Sequence, residues 1–186
     1  MIAVTMTGMQ MNRHEHEHSH MIWVTPQSGL CDTLRGSGAK HVVGFTSPGS
    51  NFSLPGGHDL HDCLILTMND ISEPGRGLIM PACRHVESLL DFDRALSCDV
   101  PLVLTCHAGI SRSTAAAYIL LCRRQPEHDE VALATMLRRL APFATPNARL
   151  IALADKLLKR DGRMSAAIRA IGRGADAFAG TPFSLG

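Results

Sequence analysis

An α/β fold is predicted for this chain, with a small, parallel-rich central sheet flanked by helices and a helical C-terminal half. Three observations carry that expectation. Short apolar runs of β-type composition recur at Ile22-Trp23-Val24-Thr25, His41-Val42-Val43-Gly44-Phe45, Cys63-Leu64-Ile65-Leu66-Thr67-Met68 and Pro101-Leu102-Val103-Leu104-Thr105, and helical patterns lie between them. From residue 113 onward the helical patterns succeed one another with no strand between. The last β-type run passes through a few small residues, Cys106 to Ser113, directly into a helix-favouring stretch. Strands alternating with helices favour a parallel sheet whose ligands bind at the carboxyl ends of the strands.

Each element has its own signal. Residues 27–36 read as a helix or turn that ends near Gly36, and residues 48–58 form a loop rich in Gly, Ser and Pro. Residues 81–96 read as a helix in which Val86, Leu89, Leu90 and Asp93 keep a helical rhythm, with Val86 and Leu89 inward. Residues 113–124 form the helix after the loop. Pro126, Glu127, Asp129 and Glu130 then gather at a helix start, where the dipole favours acids. Val131, Ala134, Leu137 and Leu140 are expected to line its inner face, Arg138 and Arg139 its solvated face, and Pro142 to end it. A helix over 147–160 turns Leu150, Ala154, Leu157 and Leu158 inward, and a short one spans 164–171. The domain is expected to cover residues 21–175, and the Gly- and Ala-rich residues 176–186 to pack loosely. Residues 1–20 are Met-rich and then alternate His14, His16, His18 and His20 with Glu15 and Glu17. A flexible extension is the simpler reading of that run; metal chelation is the other.

Composition narrows the function classes. The 186 residues suit one domain with a proper core, and 45% are hydrophobic. A net charge of +1 implies no broad attraction to nucleic acid or to a membrane surface. The longest apolar stretch, Ala115 to Cys122, is too short to span a bilayer, and no signal-peptide pattern opens the chain. Six cysteines lack the paired spacing of a metal site and the density of a secreted scaffold, which points to a reduced, cytoplasmic setting. Cys63 is read as a buried structural cysteine, with a disulfide to Cys106 under oxidation as the alternative. No Walker loop, zinc-finger spacing or dinucleotide fingerprint is present, and no cofactor or metal is called for.

The chemistry concentrates in Cys106-His107-Ala108-Gly109-Ile110-Ser111-Arg112-Ser113. A tight loop between a strand and a helix start points backbone N–H groups at an anion. The helix N-terminus and Arg112 both favour negative charge on the Cys106 sulfur, which makes it a nucleophile. A phosphoryl group in transfer spreads its charge over three equatorial oxygens. Amides from His107, Ala108, Gly109, Ile110 and Ser111 can surround those oxygens, and the planar fork of Arg112 can grip two of them. Gly109 suits a turn that needs positive φ. Ser113 is placed either to cap the helix or to donate to the departing sulfur.

This segment resembles the active-site loop of the cysteine-dependent protein tyrosine phosphatase superfamily, and most of all its dual-specificity-like branch. Asn69-Asp70-Ile71, Ala144-Thr145-Pro146-Asn147, Gly162-Arg163-Met164 and Ile171-Gly172-Arg173-Gly174 extend the resemblance to a bacterial tyrosine-phosphatase-like group over residues 21–186. The resemblance implies a dual-specificity-phosphatase-like fold and hydrolysis of a phosphorylated protein or a small phosphoester. It also implies a general acid on a loop upstream of the cysteine. Asp70, between an apolar run and a Pro-Gly turn, matches that position, and Asp62 is the runner-up. The superfamily carries histidine before the cysteine where this chain has Thr105, whose hydroxyl can replace one hydrogen bond but not a charge. Asn147 either caps the helix it opens or orients the loop. The loop interior has no lysine, unlike phosphoinositide phosphatases, so a singly phosphorylated substrate is expected, phosphotyrosine by default. Rhodanese-like sulfur transfer, arsenate reduction and phosphate binding without turnover stand as alternatives.

Overall fold

The computed structural model describes residues 21–54, 56–96 and 100–186. The His/Glu run expected as a flexible extension and Cys98 lie outside the described residues. Strands β1 (Ile22–Pro26), β2 (His41–Thr46), β3 (Asp62–Thr67), β4 (Leu102–Cys106) and β5 (Phe183–Leu185) form one sheet in the order β3-β2-β4-β1-β5. β1 to β4 run parallel, and β5 closes the edge antiparallel to β1. The helices are α1 (Leu30–Ser37), α2 (Cys83–Ala95), α3 (Arg112–Arg124), α4 (Glu130–Leu140), α5 (Ala148–Leu157) and α6 (Arg163–Ile171). This is the expected α/β architecture with a helical C-terminal half.

β4 occupies the middle of the sheet, with every residue buried, and its register to β1 and β2 puts Cys106 level with Pro26 and Phe45. All the parallel strands therefore end on one side. The segments that follow them, Gln27, Ser47, Met68 to Asp70 and His107, meet there. One face of the sheet carries α2 to α6. Side chains of α3 from Arg112 to Cys122 are buried on all sides, as its alanine-rich, apolar sequence requires of a helix at the centre of a layer. The other face is covered more thinly, by Leu30 and Leu34 of α1 with Phe52, Leu54 and Leu60 over Val42 and Val103.

Several expectations change. In α4 Val131 and Leu140 are 49% and 44% exposed, and the buried stripe is Glu130, Leu133, Ala134 and Leu137. Glu130 takes the inward place because Arg160 and Arg163 pair with its carboxylate at 3.2 Å and Tyr118 Oη donates to its carbonyl at 3.0 Å. A stripe read from apolar residues alone passes over a paired buried acid. Arg138, expected in solvent, donates to the carbonyls of Pro142 and Gly172 at 2.6 and 2.7 Å and so ties α4 to the end of α6. Asp93, on the inward side of α2, is held by Arg123 Nε at 2.7 Å and Arg124 Nη2 at 2.5 Å, which locks α2 to α3.

Cys63 is exposed rather than buried, and a bond to Cys106 is ruled out. β2 lies between their strands, and Cys63 is level with Val103 through Val42. Two strand spacings alone come to about 9–10 Å, beyond the roughly 7 Å that a disulfide spans between Cα atoms. Desolvation, and then the carboxylate of Asp62, raise the Cys63 thiol above its ordinary value.

Within residues 176–186 the last few are docked on the sheet as β5, while 176–179 are exposed. Phe183 and Leu185 are buried, Leu185 pairs with Ile22, and the Phe183 ring meets that of Phe143 edge to face at 6.1 Å. An alternation of two apolar residues in a three-residue strand is too short to register as a pattern. Phe183→Ala is expected to lower stability by about 3 kcal/mol in urea unfolding. Phe178→Ala, in the same segment but exposed, is expected to change it by less than about 0.5 kcal/mol.

Candidate active site

The loop between β4 and α3 is shaped from outside. His107 O accepts the Gln27 N–H at 3.3 Å, Ala108 O the Gly180 N–H at 2.8 Å, Ile110 O the Thr145 N–H at 3.0 Å and Ser111 O the Asn147 N–H at 3.3 Å. Thr114 Oγ1 also donates to Ile110 O, at 2.5 Å. Carbonyls bound outward leave the amides of the same peptides for the inside of the curve, which is the requirement for an anion cradle. Gly109 stands at φ +68°, and a Cβ there would lie 2.6 Å from the Pro26 nitrogen. Only glycine accepts both the left-handed backbone and the close approach of β1. A Cβ on Gly180 would lie 2.4 Å from the Phe143 ring and 3.0 Å from Gly109 O, so that segment also reaches the loop only without a side chain.

Cys106 ends β4 at the base of this curve and is 2% exposed. Its Sγ lies 3.1 Å from Ser113 Oγ, within the first turn of α3. Of the two places open to the Ser113 hydroxyl, it takes the one beside the sulfur and does not cap. Ser111 holds the N-cap position, but its hydroxyl makes no cap and donates instead to Asp70 Oδ1 at 2.7 Å. Thr105 is fully buried on the sheet face opposite Cys106, level with Thr25 and Gly44, and its hydroxyl has no partner among the described residues. The expected replacement of a histidine's hydrogen bond is therefore not made.

Arg112 is buried and fixed at one end. Its Nη1 donates to Met68 O at 2.9 Å and to Ser47 Oγ at 3.2 Å. Its Nε is buried with no hydrogen-bond acceptor among the described residues, and Asp70 Oδ2 lies 3.7 Å away. A guanidinium held by one nitrogen keeps its remaining donors in a fixed plane, and a buried donor without an acceptor fits an anion site.

Asp70 follows β3 on a loop closed by Asn69, whose N–H donates to Ile79 O at 2.7 Å and whose Oδ1 accepts the Ile79 N–H at 2.8 Å. The Asp70 side chain is 34% exposed. Its Oδ1 accepts from Asn147 Nδ2 at 2.8 Å as well as from Ser111. Asn147 fills both roles proposed for it, because its Oδ1 also accepts the Arg149 and Leu150 N–H groups at the start of α5. The fold thus brings Cys106, Arg112, Ser113, Ser111 and Asp70 together, while Asp62 sits at the opposite end of β3. His107 is exposed at the rim. Two hollows open beside it. A small one of about 150 Å³ is lined by Phe45, Thr46, Ser47 and Arg112, and one of about 650 Å³ by Ser28, Asn51, Ala108 and Phe178; Gln27, Ser50 and His107 line both. Ser47 and Phe178 carried no signal as site residues in the sequence. Ser47 is recognisable only by its place directly after a parallel strand.

No protein-family model matches this chain, and no curated protein matches it in sequence. Solved structures match it in fold. The human tyrosine phosphatase-like serine/threonine/tyrosine-interacting protein is 18% identical, with a TM-score of 0.59 over 75% of this chain and 92% of its own. Human DUSP28 is 17% identical, with a TM-score of 0.54 over 75% and 88%. The Yvh1 phosphatase domain from Chaetomium thermophilum is 14% identical, with a TM-score of 0.57 over 77% and 93%. The chain has the fold of dual-specificity-phosphatase structures.

Removing both roles of Asn147 is expected to show in stability. Asn147→Ala should lose about 1–2 kcal/mol in urea unfolding. Asn147→Ser keeps an acceptor for the helix amides and should recover most of the cap's share. Equal losses in the two variants would mean that the cap contributes little.

Proposed function

We propose that the chain is a phosphomonoesterase, most specifically a protein tyrosine phosphatase, that works through a phosphocysteine on Cys106. One observation carries this reading: an outward-pinned loop has a buried cysteine at its base and a half-anchored arginine at its end, and a carboxylate is hydrogen-bonded to it. The names of the fold's neighbours as phosphatases support it. The amides from His107 to Ser111 and the free donors of Arg112 hold the three non-bridging oxygens. Cys106 Sγ attacks phosphorus as the bond to the leaving oxygen breaks, and Asp70 gives that oxygen its proton. Water then attacks the phosphocysteine, passes a proton to Asp70 and breaks the P–S bond. Ser113 Oγ–H donates to the departing sulfur, and inorganic phosphate leaves. The steps need a reduced thiol, which suits a reducing compartment such as the cytoplasm. No helix among the described residues is long and apolar enough to cross a membrane.

A phosphate-binding module without turnover is the second reading, favoured by the name of the human neighbour, a phosphatase-like interacting protein. Hydrolysis of p-nitrophenyl phosphate in EDTA with a reductant separates the two. Turnover by the wild type and none by Cys106→Ser is expected. Folded wild type without turnover that still binds a phosphopeptide would establish the second reading. Asp70→Ala should lower kcat by roughly 10²–10⁴ with little change in KM, and Arg112→Lys should lose most activity, because an ammonium lacks the planar fork. Near-normal rates in Arg112→Lys would move the reaction away from this loop.

A further inference from the structure

Phe178 is 99% exposed, whereas the other phenylalanines, at 45, 52, 92, 143 and 183, are buried or half-buried. A single exposed apolar side chain is ordinary on a protein surface. What singles out Phe178 is where its chain segment is attached. On one side of it the Gly174 N–H donates to Thr145 Oγ1 at 3.1 Å, the Ala175 N–H to Pro142 O at 2.9 Å, and Arg173 pairs with Asp176 at 2.6 Å. On the other side the Gly180 N–H holds Ala108 O, and β5 follows. The backbone is fixed to the loop and to the sheet while the ring it carries stands in solvent.

The ring also has a definite neighbourhood. It lines the 650 Å³ hollow together with His107 and Ala108, and that hollow shares Gln27, Ser50 and His107 with the small one that reaches Arg112. Through those shared residues the larger hollow adjoins the space beside Arg112. The walls there are Gln27, Ser28, Ser50, Asn51 and His107, joined across by Gln27 Nε2 donating to Asn51 O at 3.3 Å, and they include no lysine or arginine. Neutral amides and hydroxyls can meet a peptide backbone, but they offer no cation to a second phosphate. Phe178 is the one large apolar side chain among the lining residues.

We propose that Phe178 is a specificity-determining residue that packs against the aromatic ring of a phosphotyrosyl side chain seated on the loop. The proposal rests on the phosphatase reading of the same site. Aromatic pairs gain from offset or edge-to-face contact beyond the area they bury, and an alkyl phosphoester such as phosphoserine has no ring to pair.

The test uses the full chain in a Cys106→Ser background, with and without Phe178→Ala or Phe178→Trp. Binding of matched phosphotyrosyl and phosphoseryl peptides is measured by calorimetry, and circular dichroism checks the fold. The expected result is a preference for phosphotyrosyl peptide that falls about tenfold in Phe178→Ala and is kept in Phe178→Trp. An unchanged preference in Phe178→Ala overturns this proposal while the phosphatase reading stands. Binding of neither peptide by the Cys106→Ser protein, together with no hydrolysis by the wild type, overturns both.

Discussion

The structure depends on the carbonyls of one loop being bound from behind. A backbone that curves around an anion exposes its N–H groups on the concave side, and its carbonyls then need partners on the convex side. Here the partners come from distant parts of the chain: Gln27 after β1, Thr145 and Asn147 between α4 and α5, and Gly180 before β5. These four donors are main-chain N–H groups, joined by the short, buried side chain of Thr114, so the curvature is set by the packing of these segments rather than by flexible side chains. The approach of β1 at Gly109 and of the C-terminal segment at Gly180 is close enough to exclude a β-carbon.

The carboxylate is placed by the same logic. Asp70 would be one more loop acid if it stood alone, but Ser111 of the loop and Asn147, which caps α5, both reach it, and Asn69 closes the loop that carries it. Asn147 is a junction. Its oxygen begins α5, its side-chain nitrogen holds the acid, and its backbone N–H holds the cradle. Arg112 is set in the same way, anchored through Met68 and Ser47 at the ends of the neighbouring strands. The relative placement of cysteine, arginine and aspartate thus follows from the sheet, whose parallel strands all end on this side.

Much of this was legible in the sequence because it is local. The strand, loop and helix around Cys106 follow one another in the chain, and the small residues of the loop and the apolar run of β4 announce themselves. Asp70 was legible only through resemblance, since what makes it a candidate site residue is contact with Ser111 and Asn147, far away in the chain. Ser47 and Phe178 were not legible at all. A serine after a strand and a phenylalanine in a Gly/Ala-rich segment have no periodicity to mark them. The inner face of α4 was misread for a related reason: a glutamate at an inward position breaks an apolar stripe, and only Arg160 and Arg163 make its burial tolerable. Thr105 shows the reverse. The substitution was visible, but its hydroxyl, on the far face of the sheet, takes no part in ordering the cysteine.

The attachment of the C-terminal segment bears on how the molecule is made. Chains emerge from the ribosome N-terminus first, and early segments can fold before later ones exist. β1 to β4 and the helices can assemble in that order, but the Ala108 carbonyl stays unclaimed until Gly180 is synthesised, and the edge of β1 stays open until Phe183 and Leu185 follow. The outward pinning of this loop is therefore among the last features of the domain to be completed. A nascent or truncated chain would carry the cysteine well before it carries a finished site.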